Sequence, residues 1–426
     1  MTGALLSIAL LLLLLAAGVP MLIALGAAVI LNFFFSGQWP IMLTQSMISG
    51  MSQFTLVALP LFVLAGVTMN AGGISGRLFD FARALVGWAR GGLAQVNVLT
   101  SMFFGGMIGS STADLAGTGS ILIPAMKKEG YSPSVAAAVS ASSSGVGPLI
   151  PPSSPMILYS AITGVSLGSL FLAGLIPGII LGGVFMAVVS LLARRHGWPR
   201  HGRLSPREIL RCGARAVLAF GMPVIIIGGL VFGVFTPTEG GAFGVVYAIL
   251  LACFVYRALR PSDLFRVFGN AVQLTGELLL IVSLSFALGA GLSAAHVPQA
   301  LASMIDLLVI GDSQFMRLLA LVILAIIAGM FLDPLIPVLV PVILPTLVLY
   351  QIDMIHFGSL MVVCVVIGQL TPPLAIALVI TSRIAECDQI QILRDNTPFF
   401  VAILCFLVLL MLVPGLATWL PSVAAR

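Results

Sequence analysis

Charge is what this sequence has least of. Only 8% of its 426 residues are Asp, Glu, Lys or Arg, while 60% are hydrophobic. Soluble domains carry about 25% charged residues. So much apolar surface cannot be hidden in a water-facing globule of this length, and the lipid bilayer is its natural solvent. Lysine is rarer still. The two lysines, Lys127 and Lys128, do not follow a glycine, so no Walker A loop exists and ATP is not the energy source. HExxH and CxxC are also missing, as is any paired-aspartate or Ser/His arrangement within an apolar run. The five cysteines (Cys212, Cys253, Cys364, Cys387, Cys405) have no paired spacing and read as small buried hydrophobes. The four histidines form no ligand cluster, and His196 and His201 sit in a basic loop. The formal charge of +5 is small and gives no reason to expect nucleic acid. No basic residue lies in the first 15 positions, and the apolar stretch continues to Phe35, which favours a retained helix over a cleaved leader.

What is present is a series of apolar stretches. A spanning helix needs roughly 20 apolar residues. Candidates lie at 4–17, 20–36, 54–70, 166–193, 216–236, 240–257, 271–291 and 398–415. The stretch 1–36 reads as one long tilted helix or, as the internal repeat favours, two short helices turning near Gly18-Val19-Pro20. Two longer stretches, 132–163 and 356–384, are interrupted by Pro and Gly. Two more, 91–127 and 314–350, are too long for one span and broken at the centre.

The arginines constrain the arrangement. The linker 194–215 carries Arg194, Arg195, Arg200, Arg203, Arg207, Arg211 and Arg215, so the positive-inside rule puts it in the cytoplasm. Counting spans outward, Lys127-Lys128 and Arg77, Arg83 and Arg90 fall inside only if 91–127 is re-entrant. Arg383 and Arg394 fall inside only if 314–350 re-enters from the other face. The stretch 297–313 then lies outside; it holds Asp306 and Asp312 and no basic residue.

The second half repeats the first. A shift of 221 residues lays Pro345 on Pro124, Gly368 on Gly147, Leu370 on Leu149 and Pro372-Pro373 on Pro151-Pro152. The fold class predicted is an all-α polytopic membrane protein with two inverted structural repeats. Each has a re-entrant helical hairpin and an interrupted transmembrane helix. Residues 1–193 form the first repeat (hairpin 91–127, broken helix 132–163), 194–215 the linker, and 216–426 the second (hairpin 314–350, broken helix 356–384). Inverted repeats with discontinuous helices are a feature of secondary transporters that bind near the midplane.

Irregular backbone at membrane depth is tolerated only when buried in protein or lining a wet cavity. Proline removes a donor and frees carbonyls, and glycine lets the chain bend. Taken alone, each such motif fits close packing or a kink. Four of them, repeated by an internal shift, point to ligand sites. Freed carbonyls and hydroxyls suit a small cation such as Na⁺; half-helix N-termini suit a carboxylate. The cation candidates are Ser110, Ser111, Thr112, Gly145, Gly147, Asp333, Gly368, Thr371 and Pro372. The substrate candidates are Ser143, Ser144, Pro148, Pro152 and Thr371. Asp114 is a cation ligand or a cap for its hairpin's second arm. Glu239 is expected at a helix N-terminus, and Glu277 near the inner surface beside a basic residue. The stretches 77–88, 297–308 and 386–397 suit interfacial helices joining a frame to a moving part.

These motifs resemble those of the large membrane subunit of tripartite ATP-independent periplasmic (TRAP) transporters, the DctM-like family of the ion transporter superfamily. The stretches that carry the resemblance are 109–114, 123–131 (Ile-Pro-Ala-Met-Lys-Lys-Glu-Gly-Tyr), 147–153, 235–239 (Phe-Thr-Pro-Thr-Glu), 331–334 (Phe-Leu-Asp-Pro) and 368–373 (Gly-Gln-Leu-Thr-Pro-Pro). The resemblance implies a Na⁺-coupled importer with no other cofactor, embedded in the bacterial inner membrane. It implies an elevator mechanism, a small four-helix membrane subunit and a soluble periplasmic substrate-binding protein. Substrates would be organic acids: dicarboxylates, sugar acids or zwitterionic osmolytes. The competing expectations are a self-sufficient ion-coupled organic-anion symporter of the same superfamily and, more remotely, an intramembrane enzyme.

Overall fold

The computed structural model describes residues 2–36, 41–198, 202, 205–308 and 313–424. Arg200, His201, Arg203 and Asp312 lie outside the described residues. Those described form helices joined by short turns, and no strand occurs among them. Among the described residues six helices are long and apolar enough to cross a membrane: Phe54–Ala71, Leu167–His196, Pro206–Val231, Pro237–Val255, Pro261–Ala294 and Gln389–Leu412. The start of the chain is two helices, Thr2–Ala16 and Met21–Ser36, with Gly18 at φ +79° between them.

The irregular stretches break where local chemistry requires it. In hairpin 1 the first arm, Gly92–Ile108, ends at Gly109 in the left-handed region (φ +59°). The return arm restarts at Ser111 and runs to Lys128, through Ser111–Asp114, Leu115–Gly119 and Ser120–Lys128. Broken helix 1 begins at Pro133–Ser144, with the Ser132 hydroxyl accepting from Val135 N at 3.3 Å. Pro148, Pro151 and Pro152 then supply no N–H, so the ladder cannot continue. The helix resumes at Ser154–Thr163, capped by Ser153. Hairpin 2 consists of Gln314–Gly329 and Leu335–Leu349, turning through Asp333-Pro334. Broken helix 2 consists of Met354–Gln369 and Ile376–Ala385, parted at Pro372-Pro373.

Several sequence expectations are corrected. The linker is shorter than 194–215: the preceding helix runs to His196, and Pro206–Val231 begins ten residues before the expected 216. A capping box explains the early start, since Ser205 and Glu208 satisfy each other's end groups. Stretch 386–397 is no separate connector, because Gln389–Leu412 is one helix. Helices Ile41–Met51 and Gly415–Ala424 were not anticipated. Only Cys364 among the cysteines is buried, and Cys405 is exposed.

Glu239 does close a capping box: the Thr236 hydroxyl and backbone N–H both donate to its Oε2 at 2.7 Å. Thr236→Ala should lower Tm by about 1–2 °C and leave any cation dependence of Tm intact. A change in that dependence would assign this turn to a site instead.

Two groups of helices emerge from the packing. In one, Leu264–Ala294 packs on Met21–Ser36, Ile41–Met51 and Ala58–Ala71, and Pro237–Ile249 packs on Ala58–Ala71 and Pro206–Val231. In the other, Pro133–Ser144 packs on Gly92–Ile108, Ile376–Ala385 and Gln389–Leu412. Met354–Gln369 there packs on Gln314–Gly329, Leu167–His196 and Gln389–Leu412. The Lys127 ammonium, at the end of hairpin 1, donates to the Ala385 carbonyl at 2.9 Å and so closes the C-terminus of broken helix 2.

Candidate functional site

A cavity of about 400 Å³ lies between the two groups. One wall comes from Met21, Val63 and Val67 with Leu274, Glu277, Leu278 and Ile281 of the Leu264–Ala294 helix. The other comes from both hairpin tips and both broken helices: Ser110, Ser111, Thr112, Pro148, Ser154, Asp333, Leu335 and Gln369. Residues from 110 to 369 thus meet at one place. Ser110, Ser111, Thr112, Pro148 and Asp333 were expected from sequence to line a site, and the fold brings these five to the same cavity.

Each tip is held against its own broken helix. At tip 1 the Ser154 N–H donates to the Gly109 carbonyl at 3.3 Å. At tip 2 the Gln369 amide donates to Asp333 Oδ1 at 3.4 Å. Below each tip two glycines let backbones touch. A Cβ on Gly105 would lie 2.4 Å from Gly147 Cα, and one on Gly368 would lie 2.3 Å from the Gly329 carbonyl oxygen. A Cβ on Gly145 would lie 2.2 Å from the Val366 side chain. Gly145, Gly147 and Gly368, expected as cation ligands, sit at these close approaches and do not line the cavity.

Other candidates also fall elsewhere. Ser143 and Ser144 are fully buried. Ser143 donates to Asn97 Oδ1 at 3.0 Å and to the Ser140 carbonyl at 3.1 Å, and Ser144 to the Ala141 carbonyl at 2.8 Å. Asn97 donates in turn to Ser140 Oγ at 2.6 Å, Ser101 donates to Ser143, and Ser142 donates to Asn396. This polar network ties hairpin 1, broken helix 1 and Gln389–Leu412 together; it is not a substrate wall. A buried polar side chain must find a partner: Ser142 and Ser143 find one in the neighbouring helices and Ser144 in its own helix. Thr371 donates to the Ile367 carbonyl at 2.6 Å and, with Pro152 and Pro372, is not part of the cavity lining. Pro152 instead presses its carbonyl against Gly109, where an added Cβ would lie 1.9 Å away.

Both acidic expectations at 114 and 277 change. Asp114 does not cap its arm; Ser110 does, accepting from Ala113 N. Asp114 is buried and accepts from the Thr118 hydroxyl at 2.7 Å through Oδ1. Its Oδ2 has no hydrogen-bond partner, nor has the buried Ser111 Oγ on the same turn. Glu277 makes no ion pair with a basic residue among the described residues and faces the cavity. Sequence gave one signal for it, a lone carboxylate in an apolar helix.

Three half-helices start at this cavity: at Ser111, at Ser154 and at Leu335. The last is the most open, since Pro334 precedes it and no side chain caps it. Its first N–H groups carry partial positive charge. Next to them lie hydroxyls and the Asp333 carboxylate. One wall can therefore hold a carboxylate and a small cation side by side. Among the described residues no group of three or more His, Cys, Asp or Glu could hold a metal ion.

The profile of the DctM component of the tripartite ATP-independent periplasmic transporters matches residues 8–416. The chain belongs to this family. It is 38% identical over 371 residues to the C4-dicarboxylate TRAP transporter large permease protein DctM of Pseudomonas aeruginosa, covering 87% of this chain and 86% of that one. It is 35% identical over 380 residues to the sialic acid TRAP transporter large permease protein SiaM of Vibrio cholerae, covering 89% and 88%. The crystal structure of the Alcanivorax borkumensis YdaH transporter, described as having an unusual topology, has the same fold at a TM-score of 0.56. That match covers 88% of this chain and 87% of the other at 16% identity. This DctM-family chain is a multi-pass membrane transport permease and not an enzyme.

Proposed function

We propose that the chain is the large permease of a Na⁺-coupled importer of a small organic acid. The observation that carries this is the convergence of both hairpin tips and both broken helices on one cavity, across from a wall of unbroken helices. Residues 1–193 and 216–426 act as inverted repeats. The hairpins and broken helices move as an elevator against the helix group that holds Leu264–Ala294. The linker within 194–215 faces the cytoplasm of a bacterial cell, and the bilayer is the inner membrane. A small four-helix subunit completes the frame, and a soluble periplasmic binding protein delivers the cargo.

Two places suit Na⁺, which is cargo here and not a resident cofactor. One is the turn of hairpin 1, where Asp114 Oδ2 and Ser111 Oγ lack hydrogen-bond partners. Buried oxygens without donors are costly unless a cation satisfies them. The other is Asp333, whose carboxylate receives one amide hydrogen bond from Gln369. The carboxylate of the cargo fits between the tips. C4-dicarboxylates and sialic acid, named for the relatives, are the first to test.

Na⁺ should raise the Tm of the detergent-solubilised chain relative to K⁺, by about 2–3 kcal/mol of stability at a hundredfold excess over Kd. Equal Tm in the two salts across a wide range would remove the coupling sites. Uptake into proteoliposomes should need both a Na⁺ gradient and the binding protein. Uptake by this chain with no binding protein would establish the self-sufficient symporter instead.

A further inference from the structure

Glu277 stands thirteen residues into the Leu264–Ala294 helix, about 20 Å along its axis at the usual rise. It is an exposed carboxylate on the cavity side of a largely apolar helix, a setting that tends to have a function. On the same helix face Leu274, Leu278 and Ile281 also line the cavity. They provide it with no donor. Across the cavity lie Ser111, Asp333 and the uncapped start of Leu335–Leu349. Among the described residues the cavity lining contains no Lys, Arg or His.

This distribution is polarised. The wall at Ser111 and Leu335 offers the N–H groups of a half-helix and the proton of the Ser111 hydroxyl, whose oxygen is left to Na⁺. Both favour a carboxylate. The opposite wall offers a carboxylate with nothing to neutralise it. Asp333 has a countercharge when the coupling Na⁺ is bound, as proposed above; Glu277 does not. A cargo with a second negative charge would bring it toward Glu277, and like charges repel. A cargo with a positive nitrogen at that end would complete the wall.

We infer that Glu277 is a specificity-determining residue and that the cargo is a small organic acid that also carries a cationic nitrogen, its carboxylate at Ser111 and Leu335 and its nitrogen at Glu277. The inference rests on the organic-acid reading above and narrows it to zwitterions.

The test uses the purified full chain at fixed Na⁺ and pairs of probes that differ only in charge. Glycine betaine is paired with tert-butylacetate, in which carbon replaces the quaternary nitrogen. Proline is paired with cyclopentanecarboxylate, and succinate serves as the dianion. Direct binding should favour the nitrogen member of at least one pair by about tenfold or more, with succinate weaker. E277Q should erase the difference, and Glu277→Lys should shift the preference toward succinate. Equal binding within both pairs, tighter succinate in the unmodified chain, no binding by either nitrogen probe, or discrimination kept in E277Q would overturn the inference. Tm with Na⁺ alone, without cargo, is recorded for every variant. E277Q should keep the Na⁺ response; its loss would make Glu277 a cation ligand and also overturn the inference. An unmodified chain with no Na⁺ response sinks the coupling reading, while the paired comparison still stands or falls by itself.

Discussion

Asp333→Asn should cut the Na⁺-dependent rise in Tm to what hairpin 1 alone supplies and reduce Na⁺-driven uptake by about a hundredfold, the rate equivalent of roughly 2.7 kcal/mol of lost cation affinity. The substitution keeps the shape of the side chain. It also keeps an oxygen for the Gln369 amide, which now donates at 3.4 Å. What it removes is the charge at the start of an uncapped half-helix, on the wall where both tips meet. Asp306→Asn is the control. Asp306 is a partly exposed carboxylate 3.1 Å from the Arg317 guanidinium, a setting worth about 0–1 kcal/mol. It should leave the Na⁺ response unchanged. Thermal melts in matched NaCl and KCl series read both variants. A full Na⁺ response in Asp333→Asn would mean that tip 2 holds no cation, and hairpin 1 would then be the sole remaining cation candidate.

Gly109→Ala should be the most disruptive of the small substitutions. Gly109 has φ +59°, and a Cβ there would lie 1.9 Å from the Pro152 carbonyl oxygen and 2.6 Å from Ser153 Cα. The left-handed conformation alone costs an alanine about 1 kcal/mol. The overlap is with backbone, which has no rotamer to give, so overpacking adds about 1–3 kcal/mol or more. Tip 1 must move, and with it the Gly109 carbonyl that accepts from Ser154 N–H. Loss of monodisperse protein, or a low Tm without Na⁺ response, is the expected result. Gly130→Ala separates the two causes. Gly130 has φ +90° and open space where the Cβ would stand, so it should cost only the conformational part. If Gly109→Ala behaves like Gly130→Ala in Tm and Na⁺ response, the tip is not held against broken helix 1 as described.

The hairpins and breaks were legible because their causes are local. Pro148, Pro151 and Pro152, and the Pro372-Pro373 pair, remove several donors within a turn, so the helices break there, whereas single prolines such as Pro177 and Pro398 sit inside continuous helices. Gly109 marked a reversal for the same kind of reason. The capping box at Thr236 and Glu239 was visible as a pattern four residues long. Charge scarcity and the arginine clusters needed no structure either, because they express the solvent and not the contacts. The connector at 386–397 was misread for a related reason. Its mixed polarity suits an interface, yet nothing in it breaks the helix, and Gln389–Leu412 runs straight through.

The candidate site was legible only by region. The hydroxyl residues Ser110-Ser111-Thr112 and Ser142-Ser143-Ser144 look alike in sequence. The first group lines the cavity, and the second is sealed in the network around Asn97 and Asn396. Gly105, Gly147, Gly329 and Gly368 are separated by dozens to hundreds of residues, and only docking of the hairpins shows that two pairs of them touch.

By itself the sequence determined a bilayer-embedded helical chain with two hairpins and two broken helices. Composition fixes the solvent, and proline and glycine fix where a helix can no longer propagate. Tertiary structure decided which oxygens share a cavity, that Asp114 is buried with an oxygen unpaired, and that Glu277 faces the tips instead of an inner-surface cation. Those outcomes depend on how each helix is rotated about its axis against partners distant in sequence. A periodicity can name the faces of a helix, but only packing chooses what each face meets.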